Sequence, residues 1–225
     1  MTRVPIERKV LNENDRLAAE LRQGFAQHDT LCVNLISSPG SGKTALLERT
    51  LASFEQSRRV AVLTGDIQTD NDAQRLARFG FPVHQITTGG ACHLDARMVT
   101  SALAEWPGVA VDLLFIENVG NLVCPTSYDL GEAERIVVLS VAEGEDKPLK
   151  YPATFHRADL VILNKIDLLP YVPFRMDLAR EYLRRIQPDV EILEVSCTTG
   201  AGLDRWRQWL DARPGVLSSA RGLPR

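Results

Sequence analysis

Six short runs of almost unbroken Val, Ile and Leu constrain this chain more than any other feature. They are LCVNLIS (31–37), RVAVLTG (59–65), VDLLFIE (111–117), RIVVLSV (135–141), DLVILNK (159–165) and VEILEVS (190–196). Strands that face water on one side alternate apolar with polar residues, whereas strands covered on both faces read as continuous apolar runs. Helix-period segments at 43–54, 71–79, 94–105, 172–186 and 202–211 separate the runs. Alternation of this kind predicts an α/β fold: a doubly wound, mostly parallel sheet with helices on both faces, joined by right-handed crossovers. At 225 residues the chain holds one sizeable domain of that kind.

Both ends differ from this pattern. Residues 7–26 space Val10, Leu17, Ala18, Leu21 and Phe25 along one helical face. An amphipathic helix over 1–28 is therefore expected, packed on the sheet or a neighbouring helix, or else serving as a docking arm. The central domain spans 29–212. The tail 213–225, rich in Pro, Gly and Ser, lacks periodicity and is expected to be mobile. The formal net charge of −3 is spread along the chain without a basic patch, so no nucleic-acid partner is expected. No run reaches the length of a membrane span, and MTRVPIERKVLNENDRL lacks the apolar core of a signal peptide. A cytoplasmic protein follows, in which Cys32, Cys92, Cys124 and Cys197 are thiols or metal ligands rather than disulfides.

SSPGSGKT (37–44) follows the first predicted strand and opens the first helix after it. That context makes it a P-loop of the NTPase type, although Ser37 stands where the usual first glycine would be. Backbone N–H groups of Gly40, Ser41, Gly42 and Lys43 would cradle phosphates, within a GTP-binding stretch of Ser38, Pro39, Gly40, Ser41, Gly42, Lys43, Thr44 and Ala45. The helix start adds its positive end. Lys43 is expected to reach the β- and γ-phosphates, and the Thr44 hydroxyl to ligate Mg²⁺.

NKID (164–167) closes a later strand. The Asp167 carboxylate can accept two hydrogen bonds, from guanine N1–H and from its exocyclic amine, a donor pair that adenine lacks. Asn164 and Lys165 would brace the base and the phosphate loop. SCTTGAG (196–202) follows the next strand, and Ser196, Cys197 and Thr198 would approach the base. Glu117 ends a buried strand where an acid would meet the Mg²⁺ shell, directly or through water, and Gly120 would let the backbone approach the γ-phosphate. Asp66 ends the second strand and is a further Mg²⁺ candidate. Asp66 or Asp72 is expected to orient the attacking water, although Asp70 and Asp72 also suit a helix cap.

GGACHLDA (89–96) sets Cys92 beside His93, and Cys124 follows four residues after Gly120. Two thiolates and an imidazole suit Zn²⁺ or Ni²⁺ and leave a coordination position open. Spacing alone does not bring Cys92 and Cys124 together. Cys32 and Cys197 read as structural, and His28, His84 and His156 have no cysteine or histidine beside them.

SSPGSGKT, CHLDA, ENVGNLVCP, NKID and SCTTGAG, in this order over about residues 30–212, resemble the hydrogenase nickel-incorporation GTPases. These belong to a dimerising P-loop class that also contains the urease accessory GTPase, which has Cys-Pro-His where this chain has Cys92-His93. The resemblance implies GTP hydrolysis to GDP, with Mg²⁺ as cofactor, during nickel insertion into [NiFe]-hydrogenase. It also implies a GTP-favoured homodimer with Cys92, His93 and Cys124 near the subunit interface. The implied partner is the small zinc-containing nickel metallochaperone (HypA), and through it the hydrogenase large subunit. Some members carry an N-terminal cysteine motif or histidine-rich tract; residues 1–28 here have neither, so tight nickel binding or storage at that end is not expected. Two alternatives stay open: a metal-binding or sensing module that uses GTP only as a structural ligand, and an accessory GTPase for another metalloenzyme, urease or a cobalamin enzyme.

Overall fold

The apolar runs do become the centre of the molecule. The computed structural model describes residues 6–106 and 111–213. In it β1 (Leu31–Ser37), β2 (Val60–Asp66), β3 (Val83–Thr87), β4 (Leu113–Glu117), β5 (Glu134–Ser140), β6 (Leu160–Asn164) and β7 (Glu191–Val195) form one sheet. Its order is β3-β2-β4-β1-β5-β6-β7, and every neighbouring pair is parallel. Parallel neighbours need crossover connections. The helices are α1 (Ile6–Gln27), α2 (Lys43–Ala52), α3 (Asn71–Ala77), α4 (Ala96–Glu105), α5 (Lys147–Lys150), α6 (Pro152–His156), α7 (Met176–Ile186) and α8 (Leu203–Asp211).

One sheet face carries α2, α3 and α8. Leu46, Leu47, Leu76 and Trp206 pack there on Leu35, Val62, Phe115 and Val138. The Trp206 indole N–H donates to Thr50 Oγ1 at 2.9 Å, so this large ring is buried with its polar atom satisfied. The other face is divided. Leu94 and α4, with partly buried Leu21 and Phe25 of α1, cover Leu63, Leu114 and Ile116. Phe155 of α6 and Leu183 of α7 cover Val137, Leu139 and Val161. Of the two readings of the N-terminal helix, packing is the one observed: α1 lies on α4 and buries Ala18 completely.

Two elements depart from expectation for identifiable reasons. Strand β3 was not expected because Val-His-Gln-Ile-Thr mixes polar and apolar residues. It pairs only with β2, at the sheet edge, and is only half buried. Helix α7 starts at Met176 rather than at 172, because Val172 is extended ahead of Pro173 and a 3₁₀ turn occupies Ile166–Tyr171. In the tail expected to be mobile, Arg213 is instead held. It donates to Glu134 at 2.8 Å and stacks 3.8 Å from the Trp209 ring centroid. Residues 1–5 and 214–225 lie outside the described residues.

β4 and β5 are consecutive in the chain yet flank β1. The chain therefore changes sides of the sheet there, at the kind of switch point where α/β sheets bind ligands beyond their strand C-termini. We predict that Trp206→Ala lowers the unfolding free energy by about 3–5 kcal/mol. Tyr171, 83% exposed, gives at most about 0.5 kcal/mol on replacement by Ala. Urea titrations of both variants check the contrast; equal losses would contradict this account of the core.

Candidate functional site

The turn from β1 into α2 forms the phosphate loop. Gly40 and Gly42 have φ of +73° and +101°, left-handed values that suit glycine, and Gly42 is the N-cap of α2. A Cβ on Gly42 would also run into the Asn164 side chain. Asn164 Nδ2 donates to Ser41 O at 2.9 Å, and Lys165 Nζ donates to Gly40 O at 2.7 Å. NKID and the phosphate loop, about 120 residues apart in sequence, are thus one hydrogen-bonded unit. Ser37, the departure from the usual glycine, accepts from Lys43 Nζ at 2.8 Å. Ser41 Oγ lies 2.6 Å from Glu143 Oε1, which also accepts from Ser140 N at 2.9 Å. Sequence reasoning did not single out Glu143. Its one signal is an acid just past the end of a buried strand.

Beyond β6, Asp167 lies in the 3₁₀ turn and accepts from Ser196 Oγ at 2.5 Å. Cys197 Sγ is 3.6 Å from Asn164 Oδ1, and burial pushes its thiol up to about 11. Thr198 continues the same turn. The residues expected to read a base therefore converge on one side of the phosphate loop.

On the other side, Thr44 Oγ1 donates to Glu117 Oε1 at 2.6 Å. Glu117 Oε2 is buried and has no partner. Burial pushes the Glu117 carboxyl up to about 7 against the pull of Lys43 and Thr44. Burial also lowers Lys43, although Glu117, Asp72 and Glu143 draw it back up. A hydroxyl, a half-satisfied buried carboxylate and a neighbouring ammonium fit a hard divalent cation bound together with phosphate oxygens. A Cβ on Gly120 would stand 3.1 Å from Pro39 Cα, so this glycine allows the end of β4 to press on the phosphate loop.

The two aspartates are placed differently. Asp66 Oδ1 accepts from Gln68 N at 2.9 Å and Thr69 N at 2.7 Å. Burial alone would raise its pKa, but the Thr69, Gln68 and Ile67 bonds outweigh that and lower it. Asp72 pairs with Arg75 at 3.1 Å and acts electrostatically on both Lys43 and Glu117. Asp70 occupies the N-cap of α3 without a side-chain cap bond and instead accepts from Gln74 at 2.9 Å.

The fold also gathers Cys92, His93 and Cys124. One ligand atom from each lies within 4.8 Å of the others, and all three side chains are partly exposed. His93 stacks on Tyr128, with centroids 3.8 Å apart. Burial lowers its pKa, favouring the neutral imidazole that a metal needs. Cys124 opens a 3₁₀ turn whose entry is held by Asn121, which accepts from Val123 N at 2.7 Å and Cys124 N at 3.2 Å. The adjoining Cys92 raises the Cys124 thiol. Asp95 caps α4 through Met98 N at 2.7 Å, and Asn14 of α1 accepts from Ala96 N at 2.8 Å, fixing the exit of the Cys–His loop. Two sulfurs and one imidazole nitrogen form a borderline-soft donor set that fits Zn²⁺ or Ni²⁺. The other thiols and imidazoles lie elsewhere: Cys32 is in the core, and His84 stacks on Trp106.

Phosphate loop, base-side acid and strand-end carboxylate define a P-loop nucleotide-binding protein that carries a separate thiolate–imidazole cluster. The family described as CobW/HypB/UreG, nucleotide-binding domain, matches residues 31–194, and the chain belongs to it. It is 51% identical over 216 residues to the hydrogenase maturation factor HypB of Azotobacter vinelandii, covering 96% of this chain and 71% of that protein. Among solved structures, HypB from Archaeoglobus fulgidus superposes with a TM-score of 0.82 at 39% identity, covering 88% of this chain and 97% of that one. HypB from Helicobacter pylori in complex with nickel gives a TM-score of 0.82 at 44% identity, covering 88% and 93%. Among the described residues no helix is long and apolar enough to cross a membrane.

The raised Glu117 pKa sets a pH dependence. The folded state holds this proton more tightly than the unfolded chain, whose carboxyl titrates near 4.5. Its stabilising contribution is complete below pH 4.5 and is lost as pH rises to about 7. We predict that, without nucleotide and Mg²⁺, Glu117→Gln gains stability over wild type across this window, by on the order of 3 kcal/mol at its upper end. Chemical denaturation at several pH values checks this; a pH-independent difference would contradict it.

Proposed function

We propose that this chain is a GTP-hydrolysing metallochaperone that carries nickel during [NiFe]-hydrogenase maturation. The observation that carries this reading is the joining of the two sites: β4 ends in Glu117, and the loop leaving it supplies Cys124 to the Cys92–His93 pair. In this reading Ser38 to Ala45 hold the phosphates, with Lys43 on the β- and γ-oxygens. Asp167 reads guanine, braced by Asn164 and Lys165, with Ser196, Cys197 and Thr198 alongside. Thr44 and Glu117 would hold Mg²⁺, with Asp66 a further candidate ligand, and the ion would supply charge neutralisation to the β,γ-phosphates. Asp72 orients the attacking water; its electrostatic reach to Lys43 and Glu117 favours it over Asp66, whose carboxylate is occupied by its own turn.

Cys92, His93 and Cys124 bind Ni²⁺, or Zn²⁺ at the same site, and three ligands leave the ion exchangeable. The likeness to a nickel complex of HypB supports this cargo. Val123, 58% exposed beside Cys124, supports a contact surface there, with a GTP-state homodimer and then HypA as its occupants. The hydrogenase large subunit is reached indirectly. Loss of the γ-phosphate moves the 118–125 segment and with it Cys124, so that nucleotide state sets metal affinity. Within the N-terminal segment 1–28, helix α1 packs on the domain, and 29–212 act as the GTPase domain, in the cytoplasm.

Nickel titration of the purified protein tests the metal site. We predict one Ni²⁺ site per chain that weakens at least about 10-fold, roughly one ligand's worth, in each of Cys92→Ala, His93→Ala and Cys124→Ala. Binding indifferent to all three would remove the nickel reading. Base choice tests the other half. Asp167→Asn exchanges an acceptor for an amide donor, so GTP affinity should fall by about 100-fold or more. Xanthosine triphosphate, with a carbonyl in place of the amine, should bind this variant better than GTP does. Unchanged GTP affinity would contradict the assignment of Asp167.

A further inference from the structure

We infer that Asn118 is a positioning residue that ties the metal-binding loop to the phosphate-sensing end of β4. It does so through a buried chain of side chains whose far end holds the turn that carries Cys124. The inference rests on the nucleotide–metal coupling of the proposed function and names the atoms that transmit it.

Asn118 immediately follows Glu117 and is 1% exposed. Its Oδ1 accepts from Leu94 N at 3.1 Å, one residue past His93, and from Val119 N at 3.0 Å. Its Nδ2 donates to Asn34 Oδ1 at 3.3 Å. Asn34, fully buried in β1, donates in turn to Glu132 Oε1 at 3.2 Å. Glu132 accepts from Arg135 Nε at 2.8 Å. Arg135 then donates to Thr126 O and Tyr128 O, each at 3.3 Å. The chain starts beside one metal ligand and ends on the turn that follows another. Tyr128 is also the ring on which His93 stacks. Asn118, the link next to Leu94, lies in sequence between Glu117 and Gly120, the glycine that presses on the phosphate loop.

Asn34 and Asn118 are both buried at the apolar sheet, Asn34 between Val33 and Leu35 in β1. An amide buried there makes directional bonds, and displacing it leaves orphan N–H groups at Leu94 and Val119. Movement of the 117–120 backbone therefore has two outcomes: Leu94 follows, or its bond to Asn118 breaks. Either one changes how Cys92 and His93 face Cys124. A purely structural role for Asn118 would change stability and both affinities while leaving their dependence on each other intact.

The test compares wild type, Asn118→Ala and Asn34→Ala as full chains. Ni²⁺ affinity is measured by competition with a chromophoric chelator, once with GDP and once with a non-hydrolysable GTP analogue. Hydrogen exchange of the Leu94 amide is followed in the metal-free protein with each nucleotide. In wild type the two nickel affinities should differ about five-fold or more. Asn118→Ala should bring the ratio to within about two-fold of unity. Asn34→Ala, which keeps the Leu94 bond, should shrink the ratio. Leu94 exchange should differ between nucleotides in wild type and not in Asn118→Ala. A wild-type ratio of unity overturns the coupling and this inference with it. A ratio that persists in both variants overturns the inference alone. If Asn118→Ala does not fold, Asn34→Ala and wild-type exchange decide: an undiminished ratio, or Leu94 exchange identical with both nucleotides, overturns it.

Discussion

A buried carboxylate with one unsatisfied oxygen is the constraint on which the rest of this molecule turns. Glu117 sits at the C-terminal end of β4, where the sheet is covered on both faces, and the Lys43 charge, the Thr44 hydroxyl and the Arg75 charge relieve it in part. Burying an acid in this way costs stability unless a counter-charge arrives. The cost makes sense where a cation and a phosphate chain are the natural partners. The same position gives the acid its leverage. It ends the strand next to β1, whose own end becomes the phosphate loop, and it begins the segment that reaches Cys124. The proposed coupling runs through this segment.

The base side is built for the opposite purpose. Asn164 and Lys165 reach back to Ser41 and Gly40, and Ser196 fixes Asp167. These contacts close on one another, as the proposed base-reading role requires. On the metal side the three ligands are partly exposed and short of a closed tetrahedron. Nucleotide selection calls for rigidity, whereas cargo must be released. The two halves of one sheet edge divide those demands.

Much of this was readable from residues. Strands buried on both faces have only one pattern available to them, so β1, β2, β4, β5, β6 and β7 all stand where the apolar runs are. Phosphate loop and NKID are local strings with local geometry, and their docking follows from parallel strand order. The Cys92–His93 pair and Cys124 were visible as ligand types, but 31 residues of spacing carry no distance, and only the fold brings them together. β3 escaped because an edge strand loses the apolar continuity that marks its neighbours. Asn34 escaped because a single polar letter in an apolar run reads as an interruption, and Asn118 and Glu143 because a polar residue just past a strand end reads as loop; the meaning of all three lies in partners contributed by distant segments.

The central claim is that nucleotide and metal occupy one coupled unit, and coupling is reciprocal. The most direct measurement is the affinity of a fluorescent GDP and of a fluorescent non-hydrolysable GTP analogue, each with and without Ni²⁺. The account predicts that nickel changes the ratio of the two affinities by about five-fold or more, by the factor that nucleotide exchange imposes on nickel. A ratio that is the same with and without nickel would contradict it, leaving two independent sites on one fold.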